Sequence, residues 1–254
     1  MPNVYHLDLN KKIIRGAEVA FLPGDPARSE AIARRVSEVH ATPYLKLASK
    51  REFTTFLSET ARRRVLVTST GIGGPSTSIA IEELARLGVR TFIRVGTTGS
   101  IQDHLKVGDC VITTGAVRLD GASTHYAPIE YPAVADYGVT NALVRGAEKA
   151  GVRHHVGITA SSDTFYQGEE REDSFRKYII RGLRGSAREW RELGVLNYEM
   201  ESSTLLTITS SMGLRGGCIT GVINRAGRGG ITASMVKKGV ENVIRAAVAA
   251  LEFL

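Results

Sequence analysis

Arginine and glycine recur together where the apolar runs of this chain end. PGDPAR (23–28) follows AEVAFL (17–22), STGIGGPS (69–76) closes RVLVTST (64–70), and RVGTTGS (94–100) grows out of TFIRVG (91–96). An arginine fork binds oxyanions bidentately, and glycine lets backbone N–H groups approach a ligand closely. Loops of this composition suit the holding of a small anion. None is a Walker loop, because no Gly-Lys-Ser/Thr follows, and none matches GxGxxG in its strand-to-helix context. A nucleotide-binding oxidoreductase is therefore disfavoured. Singly, each loop is weak: PGDP is a competent turn on structural grounds alone.

The elements that must position these loops are short β-rich runs alternating with helical patterns. To the runs named above are added DCVITTGAV (109–117), HVGITAS (155–161) and GGCITGVI (216–223). PSTSIAIEELARLG is the clearest helix: Pro75 suits its first position, Ile79, Leu84 and Leu87 recur at helical spacing, and Gly88 stops it. Residues 141–150, 199–212 and 232–254 also read as helices. Strands alternating with helices predict an α/β fold with a largely parallel sheet covered on both faces. In such sheets ligands bind beyond the carboxyl ends of the strands, where these loops lie. No repeat or linker divides the chain, so residues 1–254 are expected to form one domain.

Composition bounds the remaining classes. The chain has 254 residues, 43% hydrophobic and 23% charged, ordinary values for a packed protein. At this length one core buries roughly 70 to 75% of the unfolded surface without a disulfide or metal framework. Thirty-three Lys and Arg against 26 Asp and Glu leave a net charge of +7. The arginines are scattered in doublets and triplets such as Arg34-Arg35 and Arg62-Arg63-Arg64, a solvated face and not a nucleic-acid motif. Two cysteines, Cys110 and Cys218, argue for a reducing compartment. No stretch is long and apolar enough to span a membrane, and the start lacks the apolar segment of a secretory signal, so a cytoplasmic location is expected.

Taken together, PGDPAR, SKREFTTF, STGIGGPSTSIAIEEL, RVGTTGSIQ, VRLDGASTHYAP, ASSDTFY and NYEMESSTLL, in order from residue 23 to 206, resemble the uridine phosphorylases of the nucleoside phosphorylase family. The resemblance implies a mixed central β-sheet flanked by helices on both faces. It also implies reversible phosphorolysis: phosphate attacks C1′ of a nucleoside, the base leaves, and ribose 1-phosphate forms. Inorganic phosphate is then a co-substrate and no organic cofactor is needed. By the same resemblance Gly24, Arg28, Arg94 and Thr97 bind phosphate, with Arg51 entering from a neighbouring subunit. Met200 and Glu201 of NYEMES, with Thr97 and a His6 that crosses a dimer interface, meet the ribose. A carboxylate suits paired hydroxyls because it is acceptor-only when ionised. The competing view is that Glu199 and Glu201 merely open a helix, where acidic residues are favourable.

For the base the resemblance implies Thr98, Gly99, Phe165, Glu169, Tyr198, Glu199, Val222 and Ile223, with Arg171 bonding a ring carbonyl and stabilising charge on the departing base. Glu52, Ile72 and Ser76 match positions around a monovalent cation, potassium, between two subunits. A homo-oligomer follows, with a dimer as the minimal active unit and a hexamer expected. Three phosphate-binding arginines favour phosphorolysis over hydrolysis. GVINRAG (221–227) lacks the carboxylate with which purine-specific members of this fold protonate a purine, which favours a pyrimidine.

Two features depart from the family pattern. FYQGEER (165–171) carries Glu169 where the family has glutamine, and an ionised glutamate cannot donate to a ring oxygen. Burial that keeps it protonated, neutralisation by Arg171, or an altered base preference would each accommodate it. GVINR is one residue shorter than usual and leads into a glycine-rich stretch, 226–230, which reads equally as a lid or a surface loop. The alternatives to a uridine-cleaving enzyme are a broader pyrimidine phosphorylase, accepting thymidine or deoxyuridine, and a silent nucleoside-binding protein of the same fold.

Overall fold

The computed structural model describes residues 2–226 and 230–254. Its strands are β1 (Val19–Leu22), β2 (Tyr44–Lys50), β3 (Phe53–Glu59), β4 (Arg64–Thr68), β5 (Thr91–Ser100), β6 (Cys110–Leu119), β7 (Ala133–Val134), β8 (His154–Ser162), β9 (Asn197–Glu199) and β10 (Arg215–Arg225). Its α-helices are α1 (Pro26–His40), α2 (Gly74–Leu87), α3 (Tyr137–Lys149), α4 (Ser186–Glu192), α5 (Ser202–Ser211) and α6 (Ala233–Ala250). All six apolar runs form strands, joined in one ten-stranded sheet. β10 pairs with both β5 and β6, so β5, β9, β8, β6 and β10 close a ring. From β5 an open wing continues through β1, β4, β3 and β2.

Alternation within the wing explains the continuous apolar runs. Val19, Phe21, Val65, Val67, Ile93 and Val95 face one core, under α1, α3 and α6. Ala20, Leu22, Leu66 and Phe92 face the other, under α2 and α5. Strands buried on both faces need apolar residues at every position. The flanking helices are accordingly amphipathic, with Ile32 and Val36 of α1 and Ile81 and Leu84 of α2 buried.

The sheet is less parallel than the alternation of elements predicts. β2–β3, β3–β4, β5–β9, β6–β7 and β6–β10 are antiparallel. Short connections impose this at the wing's edge, where only Arg51 and Glu52 separate β2 from β3 and so tight a turn can only reverse the chain. The helix placed at 199–212 begins instead at Ser202, because Asn197–Glu199 add the short strand β9 to the ring. The segment 94–100, expected as a loop, is the buried second half of β5. Its glycines are required by crowding; a Cβ on Gly96 would sit 2.8 Å from the Arg94 guanidinium folded over it.

Candidate active site

A cavity of about 640 Å³ opens at the carboxyl ends of β1, β4, β5, β8 and β10. PGDPAR builds one wall. Asp25 caps α1 by accepting from the Ala27 N–H at 2.9 Å, and Pro26 occupies the first turn, which brings Arg28 over the cavity. The turn before α2 builds the next. Gly73 adopts φ +96, a conformation open to glycine, and its N–H donates to Glu201 Oε1 at 2.6 Å. The N-terminus of α5 supplies Met200 and Glu201. The residues leading into α1, α2 and α5 thus line one space, with carboxylates of Asp25, Glu201 and Glu199 already on N–H groups at those three helix starts.

Arg94 is the centre of this end. Its Nε lies 2.6 Å from Glu199 Oε2, and Nη2 makes an ion pair with Glu201 Oε2. Nε and Glu201 Oε2 nevertheless lack a well-aligned hydrogen bond within the protein. Burial alone would lower the Arg94 pKa, but Glu201 and Glu199 drive it upward, so the guanidinium stays charged. Glu201 is pushed upward by its own burial and by Glu199, with Arg94 opposing. Desolvation lowers Arg28, Asp25 raises it, and neighbouring Arg94 lowers it further. Two guanidiniums that repel each other are relieved by an anion between them.

Glu199 opens helix α5, the competing view from the sequence, and also makes a contact the sequence did not suggest. Its carboxylate accepts from the N–H groups of Glu201 and Ser202 at 2.9 Å, capping α5, and it grips Arg94. Behind it, Asp120 of the DGAS segment accepts from Ser123 N and Oγ, Thr204 Oγ1 and Ser203 Oγ, tying residues 120–123 to α5. Burial would raise the Asp120 carboxyl, but these donors hold it below its ordinary range.

The opposite end of the cavity is apolar. Phe165, Tyr198, Ile223, Gly99 and Thr98 line it, and Thr98 Oγ1 donates to the Tyr198 carbonyl. Glu169, 5% exposed, is the carboxyl of this end, and burial pushes it up to about 7, with Arg171 opposing and Glu199 reinforcing. Arg171 stands one layer back, its Cζ 4.3 Å from the Phe165 ring centroid and its Nε and Nη2 both 2.8 Å from the Asp173 carboxylate.

Of the residues named from the sequence, Gly24, Arg28, Ile72, Arg94, Thr97, Thr98, Gly99, Phe165, Glu169, Tyr198, Glu199, Met200, Glu201 and Ile223 line this cavity. Val222 does not. It packs with Leu105 and Val111 in a separate small core, since successive strand residues point to opposite faces. A register shift between Val222 and Asn224 marks a bulge at the shortened GVINR segment and brings Asn224 to the wall. Arg171 lies outside the wall. Arg51 is exposed at the β2–β3 turn with φ 55, away from its own chain's cavity. His6 is also outside, with Nδ1 2.8 Å from Glu83 Oε1, while the N–H groups of His6 and Leu7 donate to the same carboxylate.

Glu52 and Ser76 flank Gly71, and Ser76 Oγ is 3.5 Å from the Ile72 carbonyl oxygen. Among the described residues no group of three or more His, Cys, Asp or Glu converges on a metal position. Asp25, Pro26, Gly71, Asn224 and Ile231 complete the wall and were not singled out. The first three lie inside the glycine-rich loops, whereas Ile231 carries no signal of its own. The lid reading of 226–230 falls largely on residues 227–229, outside the described residues.

The fold is an α/β ring and wing with two arginines and an aromatic wall facing one cavity at the strand termini. The model of the phosphorylase superfamily matches residues 18–254, and the chain belongs to it. The chain is 56% identical over 221 residues to a uridine phosphorylase of Salmonella typhimurium, covering 87% of this chain and 85% of that one. It is 49% identical over 255 residues to a uridine phosphorylase of Haemophilus influenzae, covering 100% and 99%. A guanosine phosphorylase of Halorubrum lacusprofundi is 37% identical over 202 residues, 80% of this chain and 76% of that one.

Proposed function

We propose that this chain catalyses the phosphate-dependent, reversible cleavage of uridine to uracil and ribose 1-phosphate. The observation that carries the reading is the Arg28–Arg94 pair set against Glu201 in the cavity that also holds an apolar, aromatic end. An oxyanion and a ribose can then lie side by side, with the base beyond. A phosphate oxygen attacks C1′ as the glycosidic bond breaks, and the bond's electron pair leaves with the base. The protein's part is positioning and electrostatics. Gly24, Arg28, Arg94 and Thr97 hold the phosphate. Glu201 accepts from the ribose hydroxyls with Met200 beneath the sugar, and Glu199 positions Arg94. Phe165 stacks on the base, and Arg171, acting through the field behind Phe165, favours the negative charge that develops on it. The similarity to uridine phosphorylases of Salmonella typhimurium and Haemophilus influenzae supports uridine as the nucleoside.

The single-chain cavity has two arginines against the carboxyls of Asp25, Glu169, Glu199 and Glu201, a poor balance for a dianion. Arg51 and His6 of an adjoining protomer complete it in this reading, which makes a dimer the active unit and a hexamer the expected assembly in the cytoplasm. The oxygens of Glu52, Ile72 and Ser76 suit a hard cation such as potassium at that junction. A second reading, a base preference other than plain uracil, is favoured by Glu169 and by the similarity to a guanosine phosphorylase. The test is release of free base from a nucleoside panel. Release of uracil from uridine only with phosphate supports the proposal; release without phosphate makes the chain a hydrolase, and no release from any nucleoside refutes the enzyme.

A further inference from the structure

Glu169 is the one cavity carboxyl that the protein leaves unengaged among the described residues. The Glu199 and Glu201 oxygens are taken by Arg94, the α5 N-terminus and Gly73. Among the described residues no donor lies within hydrogen-bond reach of the Glu169 carboxyl, although it is 5% exposed and lines the cavity. Arg171 directs Nε and Nη2 to Asp173, and its buried Nη1, without a partner of its own, acts on Glu169 only through its charge.

The loop is built to hold this orientation. A Cβ on Gly168 would fall 1.9 Å from Ser162 Oγ and 2.7 Å from the Thr164 carbonyl, so only glycine lets the chain tuck in here. The next residue, Glu170, adopts φ 48 and accepts from the N–H groups of Gly185 and Ala187 at 2.6 and 2.7 Å. Glu170 is thereby pinned outward to the start of α4, and Glu169 is turned inward with no partner of its own.

A carboxyl group has two different hydrogen-bonding faces. As an acid it offers one acceptor beside one donor; as a carboxylate it offers acceptors only. Uracil presents a ring N–H beside a carbonyl oxygen and matches the acid. A 2-amino-6-oxopurine presents a ring N–H beside an exocyclic amino group, two adjacent donors, and matches the carboxylate. We propose that Glu169 selects the base by its protonation state, uracil nucleosides being taken by the acid and 2-amino-6-oxopurine nucleosides by the carboxylate. The proposal rests on the phosphorolytic reading of the site and deepens it.

The groups that bear directly on this carboxyl are Arg171 of its own loop and Tyr198 and Glu199 of β9; behind them Tyr166 and Asp173 act on Arg171, and Arg94 of β5, itself paired with Glu201 before α5, pairs with Glu199. Burial holds the acid form up to neutral pH, so the two forms exchange near pH 7. The cavity, about 640 Å³, lies in the size range that accommodates a two-ring base.

The experiment measures kcat/KM for uridine at saturating phosphate, and calorimetric binding of guanosine in the presence of phosphate, at pH 6 and pH 8.5. Both are run on the intact protein and on Glu169→Gln, whose amide always offers one acceptor and one donor. Ionisation of phosphate itself acts on both proteins, so the readout is their difference. The wild type is expected to lose about thirtyfold more uridine kcat/KM between the two pH values than the variant does, and to bind guanosine more tightly at pH 8.5. The variant is expected to exceed the wild type on uridine at pH 8.5 and to bind guanosine weakly at both. Superimposable profiles, or guanosine binding that is absent or indifferent to pH in the wild type, overturn the proposal. If neither protein releases uracil with phosphate at any pH, the phosphorolytic reading itself has failed, and the guanosine titration still reports on Glu169.

Discussion

A guanidinium as buried as that of Arg94, 6% exposed, stays in the fold only because two carboxylates meet it. Removing one partner of such a group leaves an uncompensated charge, which costs about 3–5 kcal/mol. Arg94→Ala is therefore expected to lower the melting temperature as well as activity. Arg94→Lys keeps the charge but not the fork, and should lower kcat/KM for phosphate by about 10²-fold or more while retaining more of the stability. Steady-state kinetics with phosphate varied, beside a thermal melt, check both; a Lys variant with wild-type kinetics would remove Arg94 from the anion end. Asp120 makes a prediction in pH. Its folded-state pKa lies below the unfolded value, so its contribution is complete above the ordinary carboxylate range and is lost as pH falls through the folded value. Asp120→Asn should reduce the melting temperature at pH 7 and flatten its acid dependence, as read from melts between pH 3 and 7.

At the scale of elements, the helices sit close enough that glycine marks their contacts. A Cβ on Gly146 of α3 would lie 2.6 Å from the Ala246 carbonyl oxygen and the Ala250 N of α6, backbone atoms that cannot rotate away. Gly146→Ala, ordinarily favourable in a helix, is expected to destabilise by about 1–3 kcal/mol through overpacking, seen as a lower denaturation midpoint. Ile81 of α2, fully buried against the opposite face, should cost about 2–5 kcal/mol on truncation to alanine by the same measurement. Strands β1, β4 and β5 were readable because both their faces are buried and the apolar runs are unbroken. β2, β3 and β9 were not. β2 is largely exposed and carries Lys46 and Lys50, while β9 is three residues long and is held by pairing with β5 and β8. Neither pattern is local enough to announce a strand.

For the whole molecule, the proposed sharing of Arg51 across protomers has a direct consequence. Arg28→Ala and Arg51→Ala would each be nearly inactive alone. Mixed and allowed to exchange subunits, they should recover activity, because one of the two sites in each hybrid dimer has both arginines intact. For random pairing across a twofold interface the recovery is about a quarter of the wild-type rate. Mixtures that stay inactive after exchange would place Arg51 outside the site. The net charge of +7 bears little on any of this. Arg28, Arg51, Arg94 and Arg171 are assigned to the site and its border, while Arg35, Arg64, Arg191 and Arg225 engage in ion pairs on the exposed surface.

The sequence by itself determined the α/β class, the six principal strands and most of the cavity wall. The class and the strands are written locally, as apolar runs with glycine and arginine beyond their ends, whereas Phe165, Glu169, Tyr198, Met200 and Glu201 of the wall came from the resemblance of whole motifs. Only the tertiary structure decided which of Val222 and Ile223 faces the cavity, because a bulge sets the parity there. It also decided that Glu199, besides capping α5 three residues on, partners Arg94, a contact between residues about a hundred positions apart. The same holds for Glu169, whose chemistry depends on a folded neighbourhood that buries it in the cavity wall and, among the described residues, offers it no donor.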